Sequence, residues 1–389
     1  MFRQYLAALA ALALPALAIP YSEYILAPTQ RVLAPAIIHR VNGTVSNAGG
    51  LTTSGSGGAV FSGASAVTYD YTKAIGGLVS FTVSQVSSSN QYIGISFTES
   101  SLWISPYGSD ATQNVGIDET LWFEITGPGN YSVQPLHSRG SFRYLNIYHN
   151  GTGNTTLSSV TTYFNAMPNV ADNALTDYTG YFHSNDERLN RVWYAGKWSQ
   201  LSSDFRIHAN TLPAAYTDQL CTIPTTNGNS LVDLQDTDPN SPPTEWWSNS
   251  TLTNGTTALV DGAKRDKLIW PGDYSISVPG VFLSTNDAYT IKLSIEQLFA
   301  DQNETTGQLP YVAVPIIVEP PSVFFAEVAD ANSFTYHLYS LLGLNNYYIY
   351  SGDLEFVQLQ WGRVKFALAR SLSFVDESGL ANVTSSADW

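Results

Sequence analysis

The sequence predicts a multidomain β + α protein: an N-terminal antiparallel β-sandwich over residues 21–170, then an α-helical domain over residues 178–389. Three observations lead there. Apolar residues alternate with polar ones through the first half, as half-buried strands require. After Tyr178 the apolar spacing becomes that of amphipathic helices. The 389 residues also exceed one ordinary domain.

In chain order, residues 1–18 read as a secretory signal. Arg3 supplies the positive start, Tyr5 to Leu17 is apolar, and Ala16-Leu17-Ala18 fits a small-residue cleavage site. The apolar run is too short to span a bilayer, so a secreted, extracellular protein is expected rather than an anchored one. Strands follow, with alternation at Val79/Phe81/Val83, Ile93/Ile95/Phe97, Leu121/Phe123/Ile125 and Val160/Thr162/Phe164. Phe142 to Tyr148 is almost continuously apolar, as for a strand covered on both sides. The Gly/Ser-rich stretch from Gly49 to Gly63 reads as a mobile loop.

In the second half, Ser184-Asn185-Asp186-Glu187 has the spacing of a capping box and opens a helix through Leu189, Val192 and Trp193. A second helix carries Ile291, Ile295, Leu298 and Phe299 on one face. A third carries Phe334, Leu338, Leu341 and Leu342, and a fourth Leu354, Val357, Trp361, Val364 and Leu368, with Asp353 near its start. Between the first two lies an irregular stretch, roughly 213–280. Structureless runs of that length inside a domain are usually functional.

That stretch holds Asp261-Gly-Ala-Lys-Arg-Asp-Lys-Leu-Ile-Trp-Pro-Gly-Asp273. Three aspartates, three basic residues and a tryptophan crowd into thirteen positions of a chain that is only 13% charged. Carboxylates for proton transfer beside a flat apolar face are what a sugar site needs. The alternative is a solvated, salt-bridged loop whose Trp270 fills a core.

Composition narrows the partners. A net charge of −15 excludes nucleic acid and anionic membrane as expected partners. The single cysteine, Cys221, cannot form an intrachain disulfide and reads as a small buried hydrophobe. The six histidines show no metal-ligand spacing, so no metal and no cofactor are expected. Eight N-x-S/T sequons begin at Asn42, Asn130, Asn150, Asn154, Asn249, Asn254, Asn303 and Asn382, in keeping with a secretory route.

The Asp261–Asp273 stretch resembles the D-C-P-Q-R-D-E-R-L-G-W-T-G-D signature of the α-L-rhamnosidases of glycoside hydrolase family 78. Asp261, Arg265, Asp266, Leu268, Trp270, Gly272 and Asp273 match in order. The resemblance extends to Gly180–Trp198, to Ser333–Tyr339, to Tyr350-Ser-Gly-Asp353, and to Asp388-Trp389, which is similar to the family's D-W motif. It implies an (α/α)6 six-hairpin toroid, of which the helices here would form an incomplete part. A truncated chain and a degenerate relative are both open. An incomplete barrel is expected to expose a large apolar surface.

The resemblance also implies roles. Asp261, Arg265, Trp270, Asp273, Asp388 and Trp389 would bind substrate, a rhamnosylated glycoside or polysaccharide. The family's general acid is a Glu, and one residue is missing between Arg265 and Trp270. Asp266 falls on or beside that Glu and is the candidate catalytic acid, shorter by one bond of roughly 1.5 Å. The implied reaction is hydrolysis of terminal α-L-rhamnosides with inversion. A catalytically inactive carbohydrate-binding relative is the alternative, and another six-hairpin glycosidase a third reading.

Overall fold

The computed structural model describes residues 24–25, 27–106, 120–137, 141–177, 180–202, 221–224, 226–227, 250–261, 268–318, 331–383, 385 and 387–388. The expected signal peptide lies outside them.

The first half is a single eight-stranded antiparallel sheet curled on itself, not two separate sheets. Its strands are β1 (Val32–Leu33), β2 (Ile37–Ser46), β3 (Ala59–Val86), β4 (Gln91–Thr98), β5 (Leu121–Ile125), β6 (Gly129–Ser132), β7 (Ser141–Asn150) and β8 (Asn154–Phe164). The main path runs β1-β8-β3-β7-β4-β5, with β2 and β6 also pairing to β3. The 28-residue β3 makes the curl. Residues 60–70 pair with β2 and residues 65–76 with β7, while both ends of β3, residues 59–62 and 77–86, pair with β8, and residues 80–83 with β6. The register shifts between Asp70 and Ile75, where Thr72 adopts a φ of 66°. Such a bulge bends a strand and strengthens its twist.

Inward-facing residues of all these strands meet in one core. Phe61, Val79, Phe81, Ile93, Ile95, Phe123, Phe142 and Phe164 are among its members, each 2% exposed or less. The Gly/Ser-rich stretch is ordered, contrary to expectation. A short 3₁₀ turn, Ala48–Leu51, buries Leu51 in that core. The Asn47 amide ties the rest down through bonds to the Ser56 and Gly58 carbonyls, 3.1 and 3.0 Å.

Arg31 fixes the exit from the sheet. All five of its guanidinium donors are used, to Asp172 and to the carbonyls of Phe164, Ala166, Met167 and Val170.

The second half contains α1 (Glu187–Ser202), α2 (Tyr274–Ser284), α3 (Ala288–Ala300), α4 (Phe334–Ser351) and α5 (Leu354–Ser373). It also holds short strands β9 (Cys221–Pro224), β10 (Thr226–Asn227), β11 (Ser250–Thr251), β12 (Thr257–Val260) and β13 (Ile317–Val318). α1 is capped by Asp186, whose carboxylate accepts from the Arg188 and Leu189 amides, and not by the expected Ser184 box. Glu187, at its first position, pairs instead with Arg191 at 2.8 Å.

α2 begins within the stretch expected to be irregular, and it forms with Pro279 inside it. The carbonyl that Pro279 leaves without an amide is that of Ser275, and the Asn346 side chain reaches it at 3.4 Å.

α3 buries Ile291, Ile295, Leu298 and Phe299 as expected. α4 and α5 present the expected stripes only in part: Leu341, Val357 and Val364 pack in the core, whereas Leu342, Leu354, Trp361 and Leu368 are exposed. α4 turns His337, Ser340, Gly343, Leu344 and Tyr347 inward, and α5 turns Phe356, Gln360, Val364, Ala367 and Ser371 inward. Their outer faces leave Ile349, Leu354, Leu359, Trp361 and Leu372 exposed. No helix among the described residues is long and apolar enough to cross a membrane.

Candidate functional site

The site grows from the chain between β12 and α2. β12 is fully buried and pairs antiparallel with β9, Val260 opposite Cys221. Beyond it, Asp261 and Leu268 clasp each other. The Asp261 amide donates to the Leu268 carbonyl at 3.3 Å, and the Leu268 amide to the Asp261 carboxylate at 3.2 Å. Asp261 thereby closes the base of the segment 262–267. Two of the expected site residues, Arg265 and Asp266, belong to that segment and lie outside the described residues.

From Leu268 the chain runs straight into α2. The Ile269 carbonyl accepts from the Ala313 amide at 3.0 Å, tying this run to the segment that carries Tyr311. Pro271–Asp273 forms a 3₁₀ turn with the proline at its start, where a missing amide costs nothing. Fully buried Tyr274 then locks α2 onto β12 by donating its hydroxyl to the Leu259 carbonyl at 3.0 Å. Gly272 has a steric duty here. A Cβ at this position would lie 2.5 Å from the Tyr336 ring, so only glycine lets the turn rest against that tyrosine.

Trp270, Tyr311 and Tyr336 meet above this turn. Trp270 stands edge-on to both tyrosines, with centroids at 5.1 Å from Tyr311 and 6.3 Å from Tyr336. The two tyrosine rings are 4.7 Å apart, and Tyr339 continues the row at 6.3 Å from Tyr336. Among the described residues nothing accepts a hydrogen bond from the buried indole Nε1 of Trp270.

The acids gather around these rings. Burial pushes the Asp273 carboxyl up to about 6. No side-chain bond from Asp273 caps the start of α2. The Tyr336 phenol is pushed up to about 12, first by burial and then by its neighbours Tyr311, Asp273 and Asp261. Both carboxylates are therefore within electrostatic reach of that ring. Tyr311 is raised by burial and by Asp388.

Asp388 lies at the start of α4, with both oxygens engaged. Oδ1 accepts from the Ser333 and Thr335 hydroxyls, and Oδ2 from the Phe334 and Thr335 amides. Burial alone would raise its pKa, but these bonds together with Ser385 outweigh it and hold the group at about 2. Asp388 thus fixes the helix that carries Tyr336. Trp389 lies outside the described residues.

Of the sequence-identified site residues, the structure brings together Asp261, Trp270, Asp273 and Asp388. It adds Tyr311 and Tyr336. Tyr336 stood inside the Ser333–Tyr339 stretch already singled out, whereas Tyr311, on a non-periodic segment, had no signal in the sequence. The Tyr350-Ser-Gly-Asp353 stretch serves the corner between α4 and α5. Gly352 ends α4 with a φ of 70°, and Asp353 caps α5 through the Phe356 amide while binding Lys292 and Tyr347 at 2.9 Å each.

No family model matches the chain, and no curated protein matches its sequence. Among solved structures it is similar to a rhamnosidase from Klebsiella oxytoca with rhamnose bound. That similarity has a TM-score of 0.59 at 13% identity and covers 93% of this chain and 60% of that one. It is also similar to the GH78 family rhamnosidase of Bacillus sp. GL1, with a TM-score of 0.51 at 16% identity over 83% of this chain and 26% of that one. The chain spans about six-tenths of the first protein's length and about a quarter of the second's. At these identities the likeness is one of fold: a curled antiparallel sheet followed by helices.

Proposed function

We propose that this chain is glycoside hydrolase-like and that its site takes a terminal α-L-rhamnoside. The observation that carries the proposal is the convergence of Trp270, Tyr311 and Tyr336 with Asp261 and Asp273. Aromatic faces accept the apolar side of a pyranose, and carboxylates accept its hydroxyls. Trp270 packs against the ring and its methyl group. Asp273 binds a hydroxyl, as a neutral donor below about pH 6 and as an acceptor above it. Asp261 binds another hydroxyl and anchors the segment from which Asp266 would protonate the leaving oxygen, with Arg265 orienting a carboxylate.

Inverting hydrolysis needs a second carboxylate about 6.5–9.5 Å from the acid, with water between. We assign no residue to that role.

The test is a comparison of α-L-rhamnoside, β-glucoside and β-glucuronide cleavage, paired with calorimetric titration of rhamnose. Rhamnoside cleavage that Asp266→Asn abolishes while rhamnose still binds supports the full reading. Rhamnose binding without turnover by the unmodified protein supports the non-catalytic, carbohydrate-binding alternative. Cleavage of the glucoside or glucuronide alone refutes the rhamnose assignment.

Secretion belongs to the same proposal, since a glycoside or polysaccharide substrate is met outside the cell. N-terminal sequencing of protein from the culture medium is expected to begin at Ile19.

A further inference from the structure

β2 is an open edge. Among the described residues it pairs with β3 alone, and eight of its ten residues are exposed. Only Ile38 and Val45 pack against the core, while Ile37 and Val41 are 52% and 41% exposed. A ten-residue edge with free amides and carbonyls and exposed β-branched side chains is a template for pairing with another chain. Proteins that keep such a strand blunt it with bulges, charges or a cover.

The bulge is present. The register shifts between Asn42 and Thr44, around Gly43 at a φ of 69°. A Cβ on Gly43 would lie 2.6 Å from the Ala64 carbonyl, so the bulge requires glycine. The same three residues, Asn42-Gly43-Thr44, are a sequon. Asn42 is exposed, and its Oδ1 accepts from Arg40 Nε at 3.2 Å. That bond engages the amide oxygen, not the nitrogen that would carry a sugar.

β6 repeats the pattern. It pairs with β3 alone among the described residues, and the sequon Asn130-Tyr131-Ser132 lies within it. Asn130 is exposed, with its Oδ1 accepting from the Thr82 hydroxyl at 2.8 Å. Asn150 and Asn154, by contrast, flank the β7–β8 turn, where no edge needs covering.

We propose that Asn42 and Asn130 are N-glycosylation sites whose glycans cover the open edges that β2 and β6 present. The donor is a lipid-linked oligosaccharide diphosphate. The asparagine Nδ2 forms a bond to the anomeric carbon, the bond from that carbon to the lipid diphosphate breaks, and the amide gives up one proton. A branched, hydrated glycan on the bulge then keeps a second chain from aligning along β2.

The experiment uses the full chain secreted from a eukaryotic host. Peptide mass mapping after amidase deglycosylation in ¹⁸O water is expected to show labelled aspartate at positions 42 and 130. Thr44→Ala removes the β2 acceptor, while Thr44→Ser keeps it. Light scattering during concentration is expected to shift from monomer to oligomers for Thr44→Ala and to stay monomeric for Thr44→Ser. Adding Val41→Lys to Thr44→Ala, which places a charge on the bare edge, is expected to restore the monomer. An unoccupied Asn42 in the secreted wild type overturns the proposal. So does a Thr44→Ala protein that is as monomeric as wild type.

Discussion

Asp273→Asn is the most informative substitution, because it should strengthen the fold while weakening the site. The Asp273 carboxyl is lifted by burial to about 6, against an ordinary value near 3.9. A folded-state value above the unfolded one means that the folded chain favours the protonated acid. This contribution is complete below about pH 4 and is lost as pH rises toward 6. Above pH 6 the folded state carries a buried charge whose cost is about 3 kcal/mol, from about 2 units at 1.36 kcal/mol each. Asparagine removes that cost. Urea unfolding followed by tryptophan fluorescence should show Asp273→Asn more stable by up to about 3 kcal/mol at pH 7.5, and by only about 0.5 kcal/mol at pH 4. In a thermal melt that is roughly 6–12 °C at pH 7.5 for a domain of this size. Rhamnose affinity above pH 6 should fall at the same time, by about 1 kcal/mol, the difference between a charge-assisted bond and the neutral one that replaces it. A gain that is equal at both pH values, or no gain at pH 7.5, would refute the burial of this carboxylate.

Four further outcomes test the surrounding structure. Buried His337 accepts from the Leu309 amide through Nδ1 and lies at 3.1 Å from the Ala367 carbonyl through Nε2, and burial lowers its pKa to about 4. Its contribution is complete above pH 6.5 and falls by about 3 kcal/mol as pH drops to 4. Asp273 and Asp301, both raised to about 6 by burial, act in the opposite sense. These three groups together favour pH 4 over pH 7.5 by about 2 kcal/mol, and Asp273→Asn should remove that preference relative to wild type in unfolding measured across that range. Gly272→Ala should cost about 1–3 kcal/mol and weaken sugar binding by displacing Tyr336. Gly362→Ala in α5, where a Cβ meets nothing within 4 Å, should stabilise by up to about 1 kcal/mol in the same melts. Asp388→Ala should lose about 0.5–2 kcal/mol of capping, with faster amide exchange in the first turn of α4.

Strands were legible where one face is buried and the other wet. Val79, Phe81 and Val83 are each 1% exposed or less, and their period of two marks the inner face of the sheet without ambiguity. What that pattern does not encode is where a strand bends. β3 runs unbroken through Gly76-Gly77. A Cβ at Gly77 would sit 2.4 Å from the Tyr163 carbonyl, so the glycine is there for close pairing with β8. The helices fail differently. α4 approaches α2 through Gly343, whose position would place a Cβ 3.2 Å from Tyr274, and through Asn346, whose side chain donates to the Ser275 carbonyl, while His337 turns to α5. A glycine, a polar amide and the rings of Phe282, Tyr347 and Tyr350 make that interface, with no leucine stripe between the helices. A search for large apolar residues selects the opposite face, which carries Leu342 at 45% exposure.

The candidate site divides along the same line. Asp261, Trp270 and Asp273 were found because charge and an indole crowd together in a short span of a sparsely charged chain. Tyr336 reaches them from α4 only because Gly272 leaves room for its ring. Tyr311 arrives on a segment held by bonds to several other elements, three of them from the amides of residues 309–314. Its Leu309 end binds His337, Ala313 binds Ile269, and Val314 donates to Asp301 at 2.7 Å. Two of those three anchors are titratable groups displaced from their ordinary ranges by burial. The aromatic half of the site is thus a product of tertiary packing and the acidic half of local sequence. Substitutions at His337 or Asp301 should therefore move Tyr311 away from Trp270 and leave the clasp between Asp261 and Leu268 intact.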